Sequence, residues 1–310
     1  MAGENVMVAV EGRRLQLSNL DKVLYPTDGF TKGEVINYYS RIAPALLPHL
    51  EGRPLTMRRY PNGVDGQSFY EKNAARHAPD WVRTVSVETP GSSTGAETLD
   101  FAVVDDLPTL VWTAQMASLE LHIPQWTVGP RGARHNPDRL VFDLDPGPPA
   151  TIVECCQVAL LLRDELSAAG LDSLAKTSGS KGMQLYCTVT TTAPEQTSAY
   201  AKALAEKLAA AHPKLVVAKM AKNLRPGKVF IDWSQNNQYK TTVAPYSLRA
   251  RERPTVSTPI TWDEVESCRR PDDLVFTADD VLDRFADHGD LFAPLLRKKK
   301  PPPVPKAPTR

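Results

Sequence analysis

Two aspartates close an apolar run. Arg139-Leu-Val-Phe-Asp143-Leu-Asp145 runs straight into Pro146-Gly147. In an extended strand, residues i and i+2 point to one face. The spacing therefore sets two carboxylates side by side at a strand end. Like charges that close repel unless a cation lies between them, and a hard divalent ion such as Mg²⁺ or Mn²⁺ suits oxygen ligands. A polar strand end entering a turn would need no ion. A second apolar run, Val229-Phe-Ile-Asp232-Trp233, delivers one further acid. If its strand lies beside the first, the three carboxylates match a two-metal site for nucleotidyl transfer. An edge-of-strand acid is the plainer reading of Asp232.

Between these runs lies Thr177-Ser178-Gly-Ser180-Lys181-Gly-Met-Gln184. Its small residues would let backbone N–H groups approach an anion, with Lys181 adding charge. It lacks the spacing of a P-loop, and a flexible turn between strands is the alternative. Downstream, Lys240 and Arg249 flank Thr241-Thr-Val-Ala-Pro-Tyr-Ser-Leu248. Both suit a phosphate, which an arginine can grip with two bonds. His122 sits in the apolar run Leu119-Glu-Leu-His-Ile-Pro-Gln-Trp126, as a packing residue or as a contact to sugar or phosphate. Phe69 and Tyr70, with Lys72 close behind, could stack on bases, although such pairs usually belong to a core. Asn19, Lys22 and Lys32 could reach a phosphate or be ordinary surface residues.

These residues need a scaffold. Thr31-x-x-Glu34 and Thr151-x-x-Glu154 are capping-box patterns. The first precedes Val35, Ile36, Tyr39, Ile42 and Leu46 at helical spacing; the second opens a helix expected to end near Gly170. Further helices are expected over 195–211, 109–120 and Thr277–His288. Strands are expected at 139–145, 183–189 and 228–233. Their alternation with helices from 139 to 233 predicts a mixed α/β core, with residues 1–130 as a separate, less regular module. The segment 88–97 reads as a polar loop. The basic, Pro-rich stretch 297–310 reads as a disordered tail.

Composition sets outer limits. The chain has 310 residues, 42% hydrophobic and 24% charged, with a net charge of +1. That is a globular mixture, large enough for one big domain or two moderate ones. Between residues 215 and 254, eight bases face only Asp232 and Glu252, a local field suited to a polyanion. No apolar run is long enough to span a bilayer. No secretory signal is visible at the N-terminus, so the expected compartment is the cytoplasm. The four cysteines lack zinc-site spacing and read as reduced thiols.

Taken in order, the motifs resemble a known family. They are Asn19-Leu-Asp-Lys-Val-Leu-Tyr-Pro26, Gly52-Arg-Pro54, Phe69-Tyr-Glu-Lys72, Leu121-His-Ile-Pro-Gln-Trp126, Asp143-Leu-Asp-Pro146, Ser178-Gly-Ser-Lys-Gly182, Asp232-Trp-Ser-Gln-Asn236 and Lys240-Thr-Thr-Val-Ala-Pro-Tyr-Ser-Leu-Arg249. The set resembles the polymerase domain of bacterial ligase D and its stand-alone relatives. That group lies within the archaeo-eukaryotic primase superfamily and acts in non-homologous end joining. The resemblance covers roughly residues 8–295.

It implies a primase-polymerase fold, with a catalytic module (131–296) built on a sheet like that of an RNA-recognition motif and an N-terminal module packed on it. It implies catalytic metal ions, Mn²⁺ or Mg²⁺, on Asp143, Asp145 and Asp232. It implies an incoming nucleotide among Ser178, Ser180, Lys181, Gln184, Lys240 and Arg249, with His122, Phe69, Tyr70 and Lys72 nearby. It places a DNA 5′-phosphate on Asn19, Lys22 and Lys32. The expected activity is filling gaps and extending DNA ends with NTPs or dNTPs, ribonucleotides preferred. Expected partners are gapped duplex and DNA ends, a Ku-type end-binding protein and a separate DNA ligase, with no membrane.

One position departs from the family. The second motif usually ends in histidine, where this chain has Gln184. Glutamine donates hydrogen bonds but carries no charge, so weakened catalysis is expected. A non-catalytic module that binds or bridges DNA ends is the alternative. A phosphatase with an aspartyl nucleophile is a third, disfavoured by Pro146-Gly147. No lysine-centred ligase motif follows the polymerase-like region, so either a stand-alone polymerase or one domain of a longer protein is expected.

Overall fold

The computed structural model describes residues 5–73, 78–89, 97–296 and 300–307. Contacts divide the chain into two compact units. One is built from Met1–Arg134, Val243–Val256 and Phe276–Gly289, the other from His135–Thr242, Ser257–Val275 and Asp290–Arg310. The two modules are expected to meet at residue 130, whereas the chain returns to the first unit twice. Apolar residues explain the returns: Ala244, Tyr246, Leu248, Val256, Ala278, Val281 and Leu282 are buried in the same core as Val35, Tyr39, Ile42 and Leu46.

The second unit is a βαββαβ arrangement. Strand Arg139–Pro146 leads to helix Ile152–Ala168, then strands Leu174–Thr177 and Met183–Thr188, helix Gln196–Ala211 and strand Val229–Asp232. Across the sheet the order is Val229–Asp232, Arg139–Pro146, Met183–Thr188, Leu174–Thr177, every pair antiparallel. This fourth-first-third-second order is the split βαβ topology of the RNA-recognition motif, as the motif resemblance implied. Short strands extend it at each edge, Val216–Val217 in parallel and Pro259–Ile260 antiparallel. Thr151 caps its helix as predicted, with Glu154 closing the box.

The register fixes the chemistry. Lys176 lies opposite Gln184, Gln184 opposite Asp143, and Asp143 opposite Asp232. Directly opposed residues share a face, so these four form one row across four strands. The loop Ser178–Gly182 is pressed onto the central strand. A Cβ at Gly182 would stand 2.0 Å from the carbonyl oxygen of Leu144, so only glycine fits.

In the first unit, Thr31 and Glu34 form the expected capping box on helix Lys32–Leu50, and the predicted apolar positions are among its buried ones. Helix Thr277–His288 begins one residue later, at Ala278, and stops at Gly289 in a left-handed conformation. The helix expected over 109–120 is a correction. Helix Leu107–Gln115 starts from Asp106, whose side chain accepts from the Thr109 N–H, and Ala117 turns left-handed. Ser118–Ile123 is then a strand. Its residues alternate, Ser118, Glu120 and His122 on one face and Leu119, Leu121 and Ile123 on the other, and the expected helix ran across the start of that alternation. It pairs antiparallel with Thr56–Arg59, which pairs on its other side with Phe69–Glu71.

Of the polar loop expected at 88–97, residues 90–96 lie outside the described set. Within the tail expected to be disordered, residues 300–307 are described. The Thr190 hydroxyl donates to the Pro301 carbonyl at 3.0 Å, and its N–H to Pro302 at 2.8 Å. Prolines lack the N–H but keep a carbonyl acceptor, and this stretch docks through those carbonyls.

Candidate active site

The three aspartates meet in the second unit. Asp143 and Asp232 face one another across two strands, and Asp145 lies two residues on. One oxygen from each lies within 4.8 Å of the others. Burial raises the pKa of Asp143, and the charges of Asp145 and Asp232 raise it further against the pull of a bond from Gln184. Asp145 is raised by burial and by Asp232, opposed by Arg225. Carboxylates crowded in this way fit a hard divalent cation, which would relieve their repulsion through oxygen ligands.

Neighbours hold each carboxylate. Asp232 Oδ1 accepts from both the N–H and the hydroxyl of Ser234, and Oδ2 accepts from Gln235 Nε2 at 2.9 Å. Lys240 Nζ donates to the Ser234 hydroxyl, which brings that predicted lysine to the edge of the trio. Asp143 Oδ1 accepts from Gln184 Nε2 at 3.0 Å. Gln184, expected beside the nucleotide, is thus turned toward a candidate metal ligand.

Asn236 ends the segment that Asp232 begins. Its Oδ1 accepts from the Val141 N–H at 2.9 Å and its Nδ2 donates to the Val141 carbonyl at 2.7 Å. It pairs the central strand just where strand Val229–Asp232 has ended.

The Ser178–Gly182 loop is organised differently from a bare backbone cradle. The N–H groups of Ser180 and Gly182 donate to the Ser178 hydroxyl, and that of Gly179 to the Thr177 hydroxyl. These amides are engaged within the loop. The exposed Lys181 and the half-buried Ser178 and Ser180 remain the groups suited to an anion.

The first unit carries two more clusters, on opposite faces of one sheet. On one face, Glu120 is buried between three cationic or titratable groups: Arg249 Nε at 3.3 Å, Arg58 at 3.5 Å and His122 Nε2 at 3.0 Å. Burial alone would raise the pKa of Glu120, but bonds from His122 and the Ala250 N–H, with Arg249 alongside, hold it far below the usual carboxylate range. Burial lowers the pKa of His122, against the pull of Glu120. The Tyr70 ring meets the edge of His122 at 5.8 Å and lies under Arg58 at 5.3 Å.

Phe69 points the other way, as strand alternation requires. Arg59 lies over its ring at 5.2 Å. Arg59 also lines a concave pocket of about 310 Å³ together with Asn19, Lys22 and Lys32. The three predicted phosphate-binding residues are therefore neighbours. Lys22 Nζ donates to Asn62 Oδ1 and Lys32 Nζ to the Ser18 carbonyl. Burial, then Lys22 and Arg59, lowers the Lys32 pKa to about 8. Phe69 and Tyr70 are exposed rather than core residues, at 44% and 57%. Lys72 is exposed just beyond the strand.

Glu120, Arg58 and Arg59 are not among the site residues expected from the sequence. Glu120 stands two residues before His122, a same-face signal once that run is a strand; the adjacent arginines carried no comparable mark.

A βαββαβ sheet that gathers three carboxylates on two adjacent strands defines a class of metal-dependent nucleotidyltransferases. The family model described as LigD, primase-polymerase domain, matches residues 31–292, and the chain belongs to that family. It is 44% identical over 283 residues to the multifunctional non-homologous end joining protein LigD of Mycolicibacterium smegmatis, covering 91% of this chain and 36% of the relative. It is 33% identical to the bifunctional non-homologous end joining protein LigD of Bacillus subtilis, covering 94% and 46%. The chain thus spans less than half the length of these relatives. Among solved structures, the polymerase domain of Mycobacterium tuberculosis ligase D in complex with DNA superposes with a TM-score of 0.85 at 42% identity, covering 91% of this chain and 98% of that one. Among the described residues no helix is long and apolar enough to cross a membrane.

Proposed function

We propose that the chain extends DNA 3′-hydroxyls at ends and short gaps by metal-dependent nucleotidyl transfer, in repair of the end-joining type. The observation that carries this reading is the convergence of Asp143, Asp145 and Asp232 within 4.8 Å on adjacent strands. Asp143, Asp145 and Asp232 would hold Mn²⁺ or Mg²⁺. Divalent ions at such a site lower the pKa of an attacking hydroxyl and neutralise the charge that develops on a leaving pyrophosphate.

The remaining residues would bind and orient. Ser178, Ser180, Lys181 and Lys240 offer hydroxyls and positive charge to a triphosphate. Arg249 and His122, fixed by Glu120, offer a planar fork and a ring nitrogen to phosphate or sugar. Tyr70 and Phe69 offer exposed rings for stacking on bases, and Lys72 adds charge. Asn19, Lys22 and Lys32, with Arg59, would take a 5′-phosphate. That the structural relative was solved with DNA supports a DNA partner. A preference for ribonucleotides, cooperation with a Ku-type protein and a separate ligase, and a place at the cytoplasmic nucleoid follow from the family resemblance.

Primer extension on a 5′-phosphorylated gapped duplex tests this, with each NTP and dNTP in Mn²⁺ or Mg²⁺. Extension by the wild type and its loss in Asp143→Ala/Asp145→Ala is the expected result. Gapped DNA that is bound but never extended would move the chain to the end-binding reading.

A further inference from the structure

We propose that Tyr186 is a positioning residue that orients Asp143 through Gln184 by a hydrogen-bond relay. The proposal rests on the reading of Asp143 as a metal ligand. It explains how the site accommodates a glutamine.

Proton counting sets the direction of the relay. An ionised Asp143 only accepts hydrogen bonds. Gln184 must therefore turn its Nε2 toward it, as found at 3.0 Å. Gln184 Oε1 then faces away and accepts from the Tyr186 hydroxyl at 3.1 Å. That bond spends the single phenolic proton, so the 2.8 Å contact between Tyr186 and the Thr242 hydroxyl has Thr242 as donor. Three bonds thus run one way, from Thr242 to Tyr186 to Gln184 to Asp143. Reversing the amide would break two of them and set oxygen against oxygen at Asp143.

The relay is buried and held. Tyr186 and Gln184 are 3% and 4% exposed. The Tyr186 ring meets Phe292 edge-on at 5.8 Å, and the fully buried Lys176 places Nζ 5.6 Å from the ring centre. A cation within about 6 Å of a ring face is attracted by the ring's quadrupole, which helps to hold the Tyr186 ring in place. Lys176 itself donates to the Ser257 hydroxyl. Outer partners of this kind typically change metal affinity by about 10- to 100-fold when removed.

The test measures Mn²⁺ binding to the protein without nucleotide or DNA, by the EPR signal of free Mn²⁺, beside thermal melting. Asp143→Asn marks the site. Tyr186→Phe and Gln184→Leu should each weaken the Asp143-dependent binding about tenfold. The double variant should be no weaker than either single one, because both cut the same relay. Thr242→Val reads the relay from its outer end and should weaken binding several-fold even if Tyr186→Phe fails to fold. Binding within twofold of wild type in folded Tyr186→Phe or in Thr242→Val, or losses that multiply in the double variant, overturns the relay. A wild type with no Asp143-dependent Mn²⁺ binding overturns the metal-site reading, and the relay with it.

Discussion

At the scale of single residues, the first unit turns on Glu120. One buried carboxylate holds Arg58, His122 and Arg249 together, and replacing it would leave those groups without their common anion. Its folded-state pKa is depressed, so its stabilisation is present above the ordinary carboxylate value and is lost as pH falls below about 4.5. Glu120→Gln should melt well below the wild type at neutral pH, with a gap that narrows as pH falls through that range in a series of thermal melts. Lys32 runs the other way. Its pKa is lowered to about 8, so its charge disappears as pH rises through that value rather than near 10.5. The preference for a 5′-phosphate over a 5′-hydroxyl on gapped DNA should start to fall at about pH 8. Lys32→Gln should bind with a smaller preference that stays flat over the same range, as read by fluorescence anisotropy.

Among the elements, Asn236 does the work of a missing strand residue. It satisfies both backbone groups of Val141, on the strand that carries Asp143. Leaving a buried donor and acceptor unpaired costs about 1–3 kcal/mol each, so Asn236→Ala should lower the midpoint of urea unfolding markedly while Asn236→Asp falls between. Legibility in the sequence follows the same divide between local and distant. The capping boxes at Thr31 and Thr151, and the paired aspartates at 143 and 145, were readable because each depends on residues within a few positions. The strand Ser118–Ile123 was not, because its short alternation follows directly on a helix, and only Ala117 in a left-handed conformation separates the two. Nor was the separation of Phe69 from Tyr70, which appears only once Phe69–Glu71 is paired. Gln184 was recognised as a departure from the family, but its partner could be found only from the register that sets it opposite Asp143.

For the molecule as a whole, the arrangement of segments matters more than the number of units. The family assignment rested on motifs spread from Asn19 to Arg249, and these fall into both units: the carboxylate trio in one, the Glu120 cluster and the Lys32 pocket in the other. Each unit is assembled from three stretches of chain. A fragment ending at residue 134 would lack Tyr246, Leu248, Val281 and Leu282, which belong to its core. Expressed alone it should bind a dye for exposed apolar surface and give no cooperative melt. The same discontinuity acts in time. A ribosome emits the chain from its N-terminus at about 5–20 residues per second. The first unit begins first, yet it waits for Leu282 before its core can close. For several seconds the nascent chain therefore carries an open apolar surface, until the segment that seals it has been made.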